Sequence, residues 1–223
     1  MTVRAPALQI EGLRYEIGDR VLLDDLDLQV SAGHSLAVTG PSGSGKSTLL
    51  MCALGLVKPD SGTVSVAGKD MTRLSARALA SHRRRHLGVV FQFGELLPEL
   101  SPSENVAIAA LLAGVDRRKA YADARDLLRW LGVPEQGTTG LLSGGERQRT
   151  AVARALVMEP TLVLADEPTG ALDQRTRETV ADLLFDIPAR RGCALVVVTH
   201  DPAVAGRADA QVSLDSGRLV ERS

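Results

Sequence analysis

Aromatic side chains are scarce, with three Phe, two Tyr and one Trp among 223 residues. Proteins that hold single-stranded nucleic acid stack bases on such rings, so that platform is excluded. A surplus of positive charge is missing too. With 26 Lys and Arg against 27 Asp and Glu the formal net charge is -1, whereas binding to a phosphate backbone calls for a basic excess. No nucleic-acid partner is expected. The longest apolar run, Leu49 to Val57, is nine residues, and a membrane-spanning helix needs about 20. Met1-Thr2-Val3-Arg4 opens no signal peptide, so a cytoplasmic location is expected. Cys52 and Cys193 stand apart in apolar surroundings, with neither CxxC spacing nor an adjacent His. That excludes a disulfide framework and a zinc site and leaves two reduced core thiols. A chain of this length suits one domain, or one carrying an insertion, that buries about 70% of its unfolded surface without staples.

Apolar and polar residues alternate in Leu8 to Glu11 and in Leu22 to Val30, parted by the turn signal Ile17-Gly18-Asp19, which predicts two antiparallel strands. Ser35 to Thr39 is a short strand entering a glycine-rich stretch, and Lys46 to Leu56 reads as an apolar helix. Strands follow at Thr63 to Ala67 and His86 to Phe91. Residues from about 95 to 158 change texture and carry helical periodicity, with helices opening at Pro102, Arg117 and Gly144. Leu162 to Ala165 and Ala194 to Val198 are short, fully apolar runs, as expected of strands buried on both faces of a parallel sheet. A helix from Thr176 to Ile187 joins them, and a hairpin around Asp215-Ser216-Gly217 closes the chain. The fold class is therefore α/β, with a mixed core sheet, N-terminal antiparallel strands and an inserted α-helical subdomain.

Three motifs carry chemistry. Gly40-Pro41-Ser42-Gly43-Ser44-Gly45-Lys46-Ser47 matches G-x-x-x-x-G-K-S/T, a pattern with roughly 0.004 accidental matches in a chain of this composition. Its backbone N–H groups can converge on phosphate oxygens, Lys46 can reach the β/γ-phosphates and the Ser47 hydroxyl can ligate Mg²⁺. The helix that starts there adds its positive end to the anion site. Asp166-Glu167 follows a buried strand, at the edge where open α/β sheets bind ligands. Asp166 can hold Mg²⁺ through water, and Glu167 can polarise a water for attack on a terminal phosphate. Leu142-Ser143-Gly144-Gly145-Glu146 contains a capping box. Two glycines in a first helical turn cost up to about 1 kcal/mol each relative to Ala, so a close approach to the backbone, such as an anion's, is expected there.

Gly40 to Thr48, Leu142 to Gln148 and Leu162 to Pro168 resemble, in this order, the Walker A loop, signature motif and Walker B strand of ATP-binding cassette (ABC) ATPases, and the likeness covers the whole chain. The resemblance implies one P-loop NTPase domain of ABC type over 1–223. Residues 1–92 and 159–223 form its RecA-like core with antiparallel strands, and about 93–158 the helical subdomain. It implies ATP and Mg²⁺ as cofactors. Tyr15 resembles the aromatic that stacks on adenine. The phosphate-binding set is Gly40, Pro41, Ser42, Gly43, Ser44, Gly45, Lys46, Ser47 and Thr48, completed by Ser143, Gly144 and Gly145 of a second subunit. Gln92 resembles the Q-loop glutamine that touches Mg²⁺ and the attacking water, so the metal set is Ser47, Gln92 and Asp166. Ala171-Leu172-Asp173 resembles the D-loop, with Gly170 where many members have serine. His200 resembles the H-loop histidine that contacts the γ-phosphate, which makes Glu167, His200, Gln92 and Lys46 the catalytic set.

The resemblance also implies an ATP-hydrolysing subunit of an ABC transporter or mechanotransmission complex that pairs head-to-tail with a second copy, as a homodimer, or with a paralogue, and integral membrane permease subunits contacted near Phe93 to Leu100. The ATPase then sits peripherally on the inner face of the cell membrane. Phe91 to Val106 and Asp166 to Asp173 are most similar to the subgroup of lipoprotein-releasing, macrolide or antimicrobial-peptide exporting, and cell-division ATPases. Soluble ABC proteins acting on nucleic acid, ribosomes or iron–sulfur assembly are the alternative, but long coiled coils, zinc cysteines and a second cassette are all lacking.

Overall fold

A computed structural model of the chain describes residues 5–221. β1 (Leu8–Ile17) and β2 (Arg20–Val30) pair antiparallel, and their alternation turns Leu8, Ile10, Leu13, Leu23, Leu26 and Val30 into one buried face. β3 (Ser35–Thr39) is buried throughout and runs through the glycine loop into α1 (Lys46–Ala53). α1 stops short of the predicted Leu56, because Leu54 caps it and Gly55 turns left-handed at φ +63°. β4 (Ser61–Val66) and β5 (Lys69–Asp70) complete a four-stranded sheet in the order β2-β1-β4-β5.

His82 to His86 form the last turn of a helix, α2 (Ala76–His86), so the strand expected from His86 starts at Leu87. The Ser75 side chain caps this helix by accepting from Ala78 N, and Arg83, Arg84, Arg85 and His86 lie at its negative end. α2 buries no residue fully, so apolar periodicity gives no signal for it. β6 (Leu87–Val90) follows directly. α3 (Pro102–Leu112), α4 (Arg117–Trp130) and α5 (Gly144–Leu156) then pack on one another around Val106, Ala110, Ala120, Ala124, Leu128 and Ala151. Small alanines at these positions let the helices approach closely.

The chain returns to the core with β7 (Leu162–Asp166), α6 (Gln174–Arg191) and β8 (Ala194–Val198), and ends with α7 (Pro202–Ala205), β9 (Ala210–Asp215) and β10 (Arg218–Glu221). α6 is longer than the predicted Thr176 to Ile187. It runs through Pro188 to a left-handed Gly192; the proline has no N–H and so forfeits the bond that position would donate within the helix. The six strands are ordered β10-β9-β3-β8-β7-β6, all neighbours parallel except β10 with β9. The carboxyl ends of β3, β7 and β8 therefore lie together, with Asp166 opposite Val198. That edge receives the glycine loop, Glu167 and His200.

A candidate nucleotide site at the carboxyl edge of the core sheet

A cavity of about 490 Å³ opens at this edge. Ser42, Gly43, Gly45, Lys46, Ser47 and Thr48 line it from the loop side, Asp166 and Glu167 from β7, and His200 from β8. The loop is seated tightly. A Cβ at Gly40 would lie 2.2 Å from the Leu214 carbonyl oxygen, and one at Gly45 2.7 Å from that of Leu22, so neither position tolerates a side chain. Lys46 is 9% exposed and its Nζ donates to the carbonyls of Gly40 at 2.9 Å and Pro41 at 2.8 Å. The ammonium is thereby held under the loop. Pro41 and Ser44 line a neighbouring cavity of about 350 Å³, together with Ser42, Gly43 and the Asp215–Gly217 turn.

Glu167 is a non-glycine residue at φ +45°, a conformation that costs of order 1 kcal/mol or more. The kink after β7 turns its carboxylate toward β8. There Oε1 accepts from the His200 backbone N–H at 3.0 Å and pairs with His200 Nδ1 at 2.7 Å, and Oε2 accepts from the Thr199 hydroxyl at 3.3 Å. The acid is mostly enclosed and the imidazole mostly open, at 19% and 72% side-chain exposure. A carboxylate held on one side by a histidine and facing the phosphate loop on the other can orient a water. Burial pushes the Asp166 carboxyl above the usual aspartate range, Glu167 adds to the rise, and a hydrogen bond with Ser47 opposes it. A half-buried carboxylate beside a hydroxyl suits a cation. No cluster of three or more His, Cys, Asp or Glu that could hold a metal occurs among the described residues. Mg²⁺ needs no such cage, since it takes one or two protein oxygens and completes its shell with water and phosphate.

Other residues singled out in the sequence do not line this cavity. Tyr15 does not line it; half-buried opposite Leu23, it packs on the core beneath the antiparallel sheet. The Gln92 amide abuts Gly170, where a Cβ would sit 2.9 Å from Nε2, so the glycine in place of serine leaves room for this amide. Ser143 and Glu146 form the predicted capping box, with Glu146 Oε2 accepting from Ser143 N at 2.8 Å and from Ser143 Oγ at 2.6 Å. Asp173 caps α6 through Thr176 N at 3.1 Å.

The two signature glycines have a partner within the chain. A Cβ on Gly145 would lie 2.4 Å from Thr176 Cγ2, and one on Gly144 3.3 Å from Leu172 Cδ2. The close approach expected from the sequence is thus made by the segment around Asp173, so it does not by itself call for an anion. Sequence reading missed Arg20 altogether. Its guanidinium lines both cavities and donates to the Gly43 carbonyl at 3.1 Å, brought there by the β1–β2 hairpin.

A buried parallel strand feeding a glycine loop and lysine, with an Asp-Glu pair at the end of a neighbouring strand, defines a P-loop α/β protein that binds nucleoside triphosphates. More narrowly, the chain belongs to the ABC transporter family, whose model matches residues 23–170. It is 48% identical to the lipoprotein-releasing system ATP-binding protein LolD of Chromohalobacter salexigens over 220 residues, covering 96% of this chain and 93% of that one. The protein of the same name from Bordetella pertussis is also 48% identical, over 96% and 95% of the two chains. Among solved structures, the dimeric cassette MJ0796 in a post-hydrolysis state bound to ADP and Pi superposes with a TM-score of 0.86 at 31% identity, covering 97% of both chains. The cbiO1 protein of Clostridium perfringens, part of the transporter complex cbiONQ, gives 0.88 at 27% identity, covering 97% of this chain and 87% of the other. The chain is an ATP-hydrolysing, nucleotide-binding ABC transporter subunit that powers a separate membrane subunit, and cassettes of this kind act as dimers. No helix among the described residues is long and apolar enough to cross a membrane.

Proposed function

We propose that this chain is the ATPase of a lipoprotein-releasing, export-type complex, working as a head-to-tail homodimer with two composite ATP sites. The single observation that carries the catalytic reading is the Glu167–His200 pair, 2.7 Å apart, facing Lys46 and Asp166 across one cavity. Lys46 and the backbone N–H groups of residues 40–48 hold the phosphates. Glu167 orients the attacking water and takes its proton, and His200 keeps the carboxylate aimed while contacting the γ-phosphate. Gln92 completes the pocket. Ser47 and Asp166 would hold Mg²⁺, with Gln92 reaching it; when bound, the ion neutralises charge on the β/γ-oxygens. Tyr15 stacks on adenine. Ser143, Gly144 and Gly145 of one subunit close over the nucleotide on its partner, with Asp173 at the seam.

Residues 1–92 and 159–223 act as the nucleotide-binding core and about 93–158 as the subdomain that answers to the membrane subunits. Those subunits dock near Phe93 to Leu100, where Phe93 is 69% exposed beside a groove of about 280 Å³ lined by Arg84, Phe91, Leu112 and Met158. The ATPase then sits on the cytoplasmic face of the inner membrane without contacting nucleic acid. Mixing two inactive variants tests the composite dimer. Lys46→Ala and Ser143→Arg each lose turnover, but a mixed head-to-tail dimer keeps one intact Lys46 facing one intact Ser143. Phosphate release should return to about a quarter of the unaltered rate in an equal mixture; no recovery at any ratio contradicts the proposal.

A further inference from the structure

We propose that Arg177 is a positioning residue that ties together the two segments flanking Glu167, namely the turn that carries His200 and the loop that ends at Asp173. Arg177 stands on the first turn of α6. One terminal nitrogen pairs with Asp201 Oδ2 at 2.9 Å, and the other donates to the Leu172 carbonyl at 3.3 Å. Its Nε is enclosed without an acceptor, so these two bonds and packing set where the guanidinium lies. A planar fork can bridge two acceptors at fixed spacing in a way an ammonium cannot.

Each end of this bridge leads to functional groups. On one side, Asp201 follows His200 directly, accepts from Ala203 N at 2.9 Å to start α7, and donates its own N–H to the Thr199 hydroxyl at 3.1 Å. That hydroxyl and His200 hold the Glu167 carboxylate. On the other side, Leu172 packs on Gly144, and Thr176 on Gly145, of the signature segment. Without the guanidinium, Asp201 keeps its α7 cap but loses its link to α6. The His200 turn then keeps its hydrogen bonds to Glu167 but loses this tie to the Leu172 loop. The expected consequence is a histidine that pairs with Glu167 less uniformly. Because Arg177 lines neither cavity, nucleotide affinity should barely change.

This inference rests on the proposed roles of Glu167 and His200, so the test includes His200→Ala. Arg207 provides a control. It also joins α6 to the segment after α7, donating to the Glu178 carbonyl at 3.3 Å and pairing with Asp182, but it hydrogen-bonds to neither Leu172 nor Asp201. Arg177→Met is expected to lower kcat about tenfold while KM and the Kd for ATP stay within about twofold. Arg177→Lys should recover part of the loss, and Arg207→Met should lower the melting midpoint without lowering kcat. In NMR spectra the His200 ring resonances should broaden or shift in Arg177→Met and not in Arg207→Met. If His200→Ala abolishes turnover while Arg177→Met loses no more kcat than Arg207→Met, the inference falls and the catalytic reading stands. If His200→Ala keeps full kcat, the role of His200 falls, and the ring resonances alone then decide about Arg177. Unchanged resonances in Arg177→Met overturn it.

Discussion

Replacing Gly145 by Ala should destabilise the protein through one methyl-to-methyl collision. The added Cβ would lie 2.4 Å from Thr176 Cγ2, more than 1 Å inside an ordinary carbon–carbon contact of about 3.5–4.0 Å. Neither side can yield easily. Gly145 is in the first turn of α5 beside the Ser143–Glu146 capping box, and Thr176 N is held by Asp173 at 3.1 Å. Overpacking of this kind costs roughly 1–3 kcal/mol, offset by up to about 1 kcal/mol of helix propensity gained on exchanging Gly for Ala. With the full offset the net cost is up to about 2 kcal/mol, a fall in melting midpoint of up to about 8 °C for a domain of this size. Thr176→Ser removes the colliding methyl but keeps the hydroxyl, so Gly145→Ala in that background should cost little or gain stability. The assay is thermal unfolding by circular dichroism of the four proteins without nucleotide. An equal effect of Gly145→Ala in both backgrounds refutes the steric argument.

Two further outcomes follow from burial and charge. Burial pushes the Cys52 thiol up to about 11 and also raises Cys193, so native protein should resist iodoacetamide at about pH 8 while both thiols alkylate in guanidinium; rapid labelling of folded protein contradicts the buried placement. Hydrogen bonds from Ser101 and Ser143 hold the Glu104 and Glu146 carboxylates below their ordinary value of 4.5. A carboxylate lowered on folding stabilises fully above its unfolded value and loses that contribution as pH falls through the folded one. Urea midpoints should therefore decline below about pH 4.5, and the double variant Glu104→Gln/Glu146→Gln, which keeps an acceptor at N3 without titrating there, should show a shallower acid limb. Identical acid limbs count against the capping carboxylates as the source.

Sequence reasoning works best here where chemistry and local conformation coincide. Ser35–Thr39 and Ala194–Val198 are strands at the predicted bounds, because a five-residue apolar run bounded by turns has little else to become. Lys46, Ser47, Asp166, Glu167 and His200 share one cavity, since the parallel order of β3, β8 and β7 aligns their carboxyl ends. Legibility fails where long-range packing decides. α2 buries none of its residues fully, so its helix shows in Ser75 rather than in any apolar stripe. Arg20 reaches the phosphate loop only through hairpin pairing. Gly144 and Gly145 invite a ligand explanation when read alone, and only the fold brings Leu172 and Thr176 against them. The Arg177–Asp201 bridge spans 24 residues, and neither residue belongs to a motif that would draw the eye to the pair.

Glu167, held by His200 at 2.7 Å, is the group proposed to orient and deprotonate the attacking water. The most direct measurement is Glu167→Gln, comparing ATP affinity by equilibrium titration with phosphate release under saturating ATP and Mg²⁺. The amide keeps the shape and the hydrogen-bond acceptor but cannot take a proton at neutral pH. Affinity within about twofold of the unaltered protein, with turnover reduced by at least about 100-fold, is the predicted result. Steady-state turnover within a few-fold of the unaltered protein would contradict it.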